Sequence, residues 1–218
     1  MKRILLLVTV LLITACAPVQ TDVPIAPGSP DVTPQTPTEP APSQTDVPPA
    51  PTESAMDDSS DVFALLPAPA CDGRLTPSQM EGPYYTPNTP ERNSLLEEGM
   101  EGERLLLIGY VLDADCNPIP GAWLDFWQAG ADGGYDNSGY TWRGHQFTDA
   151  QGRYHLETVM PGLYSSRPIR HIHVKVQAPN GPVLTSQIYF PEQPIDNLTV
   201  QLIPQDGYQL AVFNFVVD

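Results

Sequence analysis

RHIHVKV, residues 170–176, decides how the rest of the chain is read. Its apolar residues alternate. Ile172, Val174 and Val176 fall on one face of an extended strand, and His171 and His173 fall on the other. A period of two belongs to a strand and not to a helix, so the apolar face suits a core and the histidine face looks out of it. Side chains at i and i+2 lie about 6.5–7 Å apart at the Cα. Two imidazoles so placed reach one ion ~2.0–2.2 Å from each nitrogen. Solvated or hydrogen-bonded histidines on a polar strand face satisfy the same pattern, so the pair alone does not choose between them.

Working outward, the same short period recurs. Arg104–Leu112, Ala122–Gln128, Gln146–Thr148, Arg153–Val159, Ile169–Gln177, Val183–Phe190, Leu198–Ile203 and Gln209–Val217 read as strands. Between them stand turn signals such as Asp115-Cys116-Asn117-Pro118, Asp149-Ala150-Gln151-Gly152 and Pro179-Asn180-Gly181-Pro182. A short helical turn fits only around Asn93–Glu98. Many short, evenly spaced strands predict an all-β domain, an antiparallel sandwich over residues 71–218. One connection is too long for a hairpin: AGADGGYDNSGYTWRG, residues 129–144. A glycine-rich loop of that length with tyrosine, tryptophan and arginine side chains favours a functional role.

The chain before this domain has a different character. Residues 1–15, MKRILLLVTVLLITA, carry Lys2 and Arg3, a short apolar run and small residues before Cys16. That is a secretory signal, too short in its apolar part to cross about 30 Å of hydrocarbon. Ile13-Thr14-Ala15-Cys16 resembles a bacterial lipobox, which would lipidate Cys16 and hold the protein outside the cytoplasm on a bacterial membrane. An ordinary signal with a chance cysteine is the alternative. Residues 16–70 hold half of the 26 prolines, many Thr and Ser, eight acidic residues and no Lys or Arg. Such a segment cannot bury enough apolar surface to offset its ordering entropy and reads as a disordered stalk.

Residues 71–218 carry eight basic and eighteen acidic residues, a net charge of −10. Nucleic-acid binding would need a basic footprint, so that class is excluded. With Cys16 taken by lipid, Cys71 and Cys116 are left as an even pair in a compartment where disulfides persist. Either they bridge or they are two buried thiols.

Further ligands for the histidine pair are not obvious from residue type. His155 alternates as an ordinary strand residue, His145 ends the long loop, and no cysteine pair has zinc-finger spacing. No Asp or Glu stands in the local run for a site of two histidines and one carboxylate. The tyrosines remain. ADGGYDN (131–137), TDAQGRYHLETVMPGLY (148–164) and RHIHVKV occur in order, with MEGPYY (80–85), LIGYVLDADCNPIPGAWLDFWQA (107–129) and LTSQIYF (184–190) around them. Together they resemble the intradiol ring-cleavage dioxygenases: the catechol, protocatechuate and hydroxyquinol dioxygenases and their secreted relatives.

That resemblance implies a non-haem Fe(III) at the mouth of a β-sandwich, held by Tyr135, Tyr164, His171 and His173. Tyr140 is the rival to Tyr135 in the same loop, but only Tyr135 stands in the GxYD context. It further implies that a catechol-type diol binds through both oxygens, displacing a hydroxide and the tyrosinate assigned to Tyr164. O2 then opens the ring between the two hydroxylated carbons to a cis,cis-muconate-type dicarboxylate. Gln187 and Tyr84 match positions near the substrate. The family's charge-stabilising arginine falls here on Pro168, with Arg167 and Arg170 on either side; alternation turns Arg170 away and favours Arg167. The helical dimerisation segment is replaced by the stalk, so oligomeric state does not carry over. A noncatalytic surface module on the same sandwich, or a binder of catecholate iron chelators, are the competing functions.

Overall fold

The computed structural model describes residues 62–164 and 167–218; the expected signal, Cys16 and most of the stalk lie outside them. Among the described residues are nine strands: β1 (Arg104–Leu112), β2 (Trp123–Trp127), β3 (Arg143–Phe147), β4 (Arg153–Val159), β5 (His171–Gln177), β6 (Val183–Tyr189), β7 (Gln201–Gln205), β8 (Tyr208–Val212) and β9 (Phe215–Val216). They form two sheets, one in the order β4-β1-β8-β7 with β9 also on β1, the other in the order β3-β2-β5-β6. The core lies between them. Leu107 and Val111 from β1, Leu124 and Phe126 from β2, Leu156 from β4 and Ile172, Val174 and Val176 from β5 are all completely buried.

The predicted sandwich is there, with three departures. The stretch 209–217 is two strands, not one, and both run parallel to β1, while the four-stranded sheet is antiparallel throughout. The break has a cause: between β8 and β9 the Asn214 side chain, not a backbone carbonyl, accepts from Tyr110 N–H. Beside it the chain passes so close to β1 that a Cβ on Gly109 would lie 1.7 Å from the Phe213 carbonyl oxygen, so only glycine fits. Of the helical turn expected around Asn93–Glu98, the chain from Ser94 to Glu97 is extended instead, with Leu95 N–H donating to the Glu157 carbonyl at 2.8 Å, and a turn comes only at Glu98–Gly99. Finally, packing begins before residue 71. Phe63 sits edge-on to His155 under the Arg153 guanidinium, and Leu66 packs on Tyr110, Leu112 and Val216, so the expected boundary falls inside the packed region.

The outward face of the four-stranded sheet matters most for function. Alternation places Arg143, Trp127, His173 and Gln187 in one cross-strand row, His145, Asp125, Lys175 and Thr185 in the next, and His171 opposite Tyr189. Most of these polar groups are buried because a strap, residues 76–95, runs across them. It is tied down by Gln79 N–H to the Thr185 carbonyl (2.9 Å), Gln187 Nε2 to the Met80 carbonyl (2.6 Å), Lys175 to Glu81 (2.6 Å) and Tyr85 and Thr89 to the Asp125 carboxylate. The Cys71–Cys116 disulfide, Cα atoms 5.5 Å apart, anchors the chain just before this strap to the β1–β2 turn.

Candidate metal centre

His171 and His173 are both buried, and their Nε2 atoms converge to 3.2 Å. His171 Nδ1 lies 2.7 Å from the Ile169 carbonyl, which fixes the proton there and leaves Nε2 with its lone pair free. His173 is oriented differently: its ring lies flat on Trp127, centroids 4.8 Å apart and planes 9° apart, while its Nδ1 has no partner. Trp127 shares the outward face of β2 with Asp125. Burial lowers the pKa of His171 to about 4 and of His173 to about 2, with the neighbouring His171 and the Arg167 charge adding to the second. Both rings are therefore neutral, the form that ligates a metal. A separation of 3.2 Å is what two donors ~2.2 Å from one ion show when they subtend about a right angle.

Two tyrosines complete the ring around this point. The Tyr135 ring stands perpendicular to that of Tyr164, 5.7 Å between centroids, and 6.5 Å from His173, while Tyr164 lies 6.0 Å from His171. The Tyr135 hydroxyl is buried and has no hydrogen-bond partner. A buried hydroxyl left unpaired costs roughly 1–3 kcal/mol, so this atom calls for a partner from outside the chain. Burial, with Tyr164 beside it, holds the Tyr135 phenol well above the usual range, so a phenolate there requires a cation.

The loop chemistry explains the GGYDN motif. Asp136 accepts the backbone N–H groups of Ser138, Gly139 and Thr141, which folds the chain after Tyr135 back on itself and holds the carboxyl far below its ordinary pKa. Gly133 has φ +83°, and a Cβ on it would lie 2.3 Å from the Leu163 carbonyl oxygen. That close approach brings Tyr135 and Tyr164 together. The rival Tyr140 is more than a third exposed and donates to the Pro87 carbonyl, away from the histidines. Tyr84 stacks face to face on Tyr135, 4.3 Å between centroids and 16° between planes, and edge-on to Tyr164.

The two candidate arginines point in different directions. Arg167 Nη2 donates to Gln187 Oε1 (2.6 Å) and to the Tyr189 hydroxyl (2.9 Å), which itself donates to Gln187 Oε1 (2.8 Å). Arg170 faces the other way, donating to the Pro161 carbonyl and pairing with Glu192. His145 belongs to the Thr89–Asp125 network and His155 to the other sheet, so neither joins the pair. Sequence reasoning missed Trp127, Tyr189 and Arg143. Each alternates onto the histidine face of its sheet, which was the available signal.

The donors present fit a hard trivalent iron: two neutral imidazoles, two phenol oxygens, and among the described residues no cluster of three His, Cys, Asp or Glu side chains to compete with them. A cleft of about 510 Å³ lined by Phe63, Arg92, Phe147 and His155 contains none of the four.

Residues 80–205 match the family model described as Dioxygenase. The chain is 30% identical over 142 residues to catechol 1,2-dioxygenase of Acinetobacter baylyi, covering 52% of this chain and 45% of the relative. It is 30% identical over 159 residues to the protocatechuate 3,4-dioxygenase alpha chain of Burkholderia cepacia, covering 61% of this chain and 80% of the relative. It spans about half the length of the catechol 1,2-dioxygenases that it matches. Among solved structures, the dioxygenase domain of a dioxygenase–carbohydrate-binding protein fusion from Streptomyces sp. SirexAA-E superposes with a TM-score of 0.64 at 45% identity, covering 66% of this chain and 99% of that one. With the family model spanning more than half of its residues, the chain belongs to the intradiol ring-cleavage dioxygenases.

Proposed function

We propose that this domain cleaves a catechol-type aromatic diol with O2 between its two hydroxylated carbons, at an Fe(III) held by Tyr135, Tyr164, His171 and His173. The observation that carries the reading is the convergence of two neutral histidine Nε2 atoms, 3.2 Å apart, beside a buried tyrosine hydroxyl with no partner. When bound, Fe(III) supplies Lewis-acid activation of the diol and enough positive charge to keep the tyrosines as phenolates.

The chain's own groups account for the rest. The Tyr164 phenolate oxygen is the proton acceptor for one diol hydroxyl. Arg167, held in place by Gln187 and Tyr189, presents its charge beside the histidine pair and stabilises negative charge as it builds on the ring. Gln187 is itself fixed by the Met80 carbonyl, so the strap sets the arginine through it. Tyr84, against both tyrosines, is an aromatic wall that favours a flat ring, and Trp127, buried against His173 and Tyr85, holds the plane of that imidazole. The balance is one diol and one O2 to one cis,cis-muconate-type dicarboxylate that keeps both oxygen atoms.

The N-terminal segment with Cys16 completes the reading as an extracytoplasmic lipid anchor on a bacterial membrane; mass spectrometry of the mature N-terminus, with or without acyl chains, decides that part. For the centre itself, the test is the visible spectrum of purified protein before and after aerobic catechol. A red-brown tyrosinate–iron band that shifts and gives way to muconate is expected. Protein that stays colourless after iron reconstitution refutes the iron site. A stable catechol complex without oxygen uptake would make the protein a binder of catecholate chelators.

A further inference from the structure

Arg143 is 1% exposed, yet among the described residues no carboxylate pairs with it. Its guanidinium donates from Nη1 to the Tyr84 carbonyl and from Nη2 to the Asp136 carbonyl, both at 2.6 Å, and its Nε is buried with no partner. A buried cation with no carboxylate in direct contact, the Asp136 and Asp125 charges acting on it only from a distance, is a costly way to fill space, and an apolar residue would serve packing better. The two carbonyls explain what the charge achieves there. One belongs to Tyr84 in the strap; the other belongs to the residue after Tyr135 in the β2–β3 loop. These segments carry the two rings that stack on each other.

We propose that Arg143 is a positioning residue: a fork that clamps strap to loop and thereby sets the Tyr84–Tyr135 stack and the direction of the Tyr135 oxygen. A guanidinium suits this role because its donors are held in one rigid plane and reach two acceptors on different chain segments; a lysine head is a single point. The preceding residue, Trp142, is in the left-handed region at φ +58°, and the Arg143 carbonyl takes the Arg92 Nε–H at 2.9 Å, so the base of the fork is itself held from the strap side. The clamp is a property of the chain without metal. Its consequence for Tyr135 as a ligand rests on the proposed iron site.

The test is hydrogen exchange, by mass spectrometry, on the metal-free protein and on Arg143→Gln and Arg143→Lys. Charge-assisted hydrogen bonds to both segments are lost in the first, and only one can be remade in the second. Exchange in 80–87 and 130–140 should rise together by about tenfold or more in Arg143→Gln. In Arg143→Lys one of the two segments should recover. Strands 104–112 and 171–177 should stay as protected as in the unaltered protein. Unchanged exchange in either segment of Arg143→Gln, or a rise spread over the whole sandwich, overturns the clamp. So does failure of both variants to fold, which would make Arg143 a general fold determinant. Reconstitution with Fe(III) adds a second readout: the tyrosinate band should move in both variants. A colourless protein whose exchange still follows Arg143 would refute the iron reading and leave the clamp standing.

Discussion

Acidifying the metal-free protein from about pH 7.5 to about pH 5 should remove up to ~4 kcal/mol of folding stability through two residues, His171 and His173. Burial depresses both pKa values, to about 4 and about 2, whereas in the unfolded chain each titrates near the ordinary ~6.5. The sign follows from proton counting. Below the unfolded value the unfolded chain binds protons that the fold refuses, so stability is complete above about pH 6.5 and drains away as pH falls toward the folded values. Over this interval each ring takes up about one and a half log units of proton affinity in the unfolded state, about 2 kcal/mol apiece at 1.36 kcal/mol per unit. That is a large share of a typical stability of about 5–15 kcal/mol. Asp125 works in the opposite direction, since burial raises its carboxyl. It cancels when the protein is compared with His171→Asn/His173→Asn. Urea unfolding of both proteins at both pH values is the assay. A pH dependence as steep in the double variant as in the unaltered protein would refute the reasoning.

Three further outcomes are expected. Reducing the Cys71–Cys116 disulfide, which closes a 45-residue separation, should cost about 4 kcal/mol on the loop-entropy scale, read from urea midpoints with and without reductant. Asp136→Asn should lower iron occupancy at neutral pH and speed exchange across 136–141 while leaving the melting of the sandwich unchanged, because the carboxylate caps only its own loop. Oxygen uptake with catechol should fall about a hundredfold or more in Arg167→Ala, the scale of losing an electrostatic stabiliser, and less than about threefold in Arg170→Ala.

How much was legible follows from which residues carry their own signal. β1 stands out as a near-continuous apolar run and β4 by its alternation, and in β5 the alternation itself exposed the histidine pair. β3 was placed late because Gly144 has no side chain and its neighbours Arg143 and His145 both face outward, leaving little apolar pattern. The parallel pairing of β8 and β9 was invisible because pairing direction depends on where the chain returns, and the break at Phe213-Asn214 depends on one side-chain acceptor. Tyr135, Tyr164 and Gln187 came from ordered motifs and not from periodicity. Arg143 and Trp127 were passed over as a loop end and an apolar strand residue. Neither role is local: both depend on what the strap lays over the sheet.

The same alternation that makes the core also specifies half of the site. Slipping β5 by one residue would turn Ile172, Val174 and Val176 out of the core and drive both histidines in. Those three residues are completely buried, so the register that aims the imidazoles is held by the bulk of the sandwich. The tyrosines have no such support. Tyr135 depends on the Asp136 nest, the Gly133 contact and the Arg143 fork, and Tyr164 lies in the connection before β5. The two halves should therefore fail differently. Large-to-small changes at Ile172 or Val174, at a cost of roughly 2–5 kcal/mol, threaten the fold and the site together. Changes at Tyr135 or Asp136 should leave a folded sandwich that has lost colour, and changes at Arg143 one whose tyrosinate band has moved. A Tyr135→Phe protein that melts well below the unaltered one without metal would break that division, since removing an unpaired buried hydroxyl ought to be neutral or stabilising.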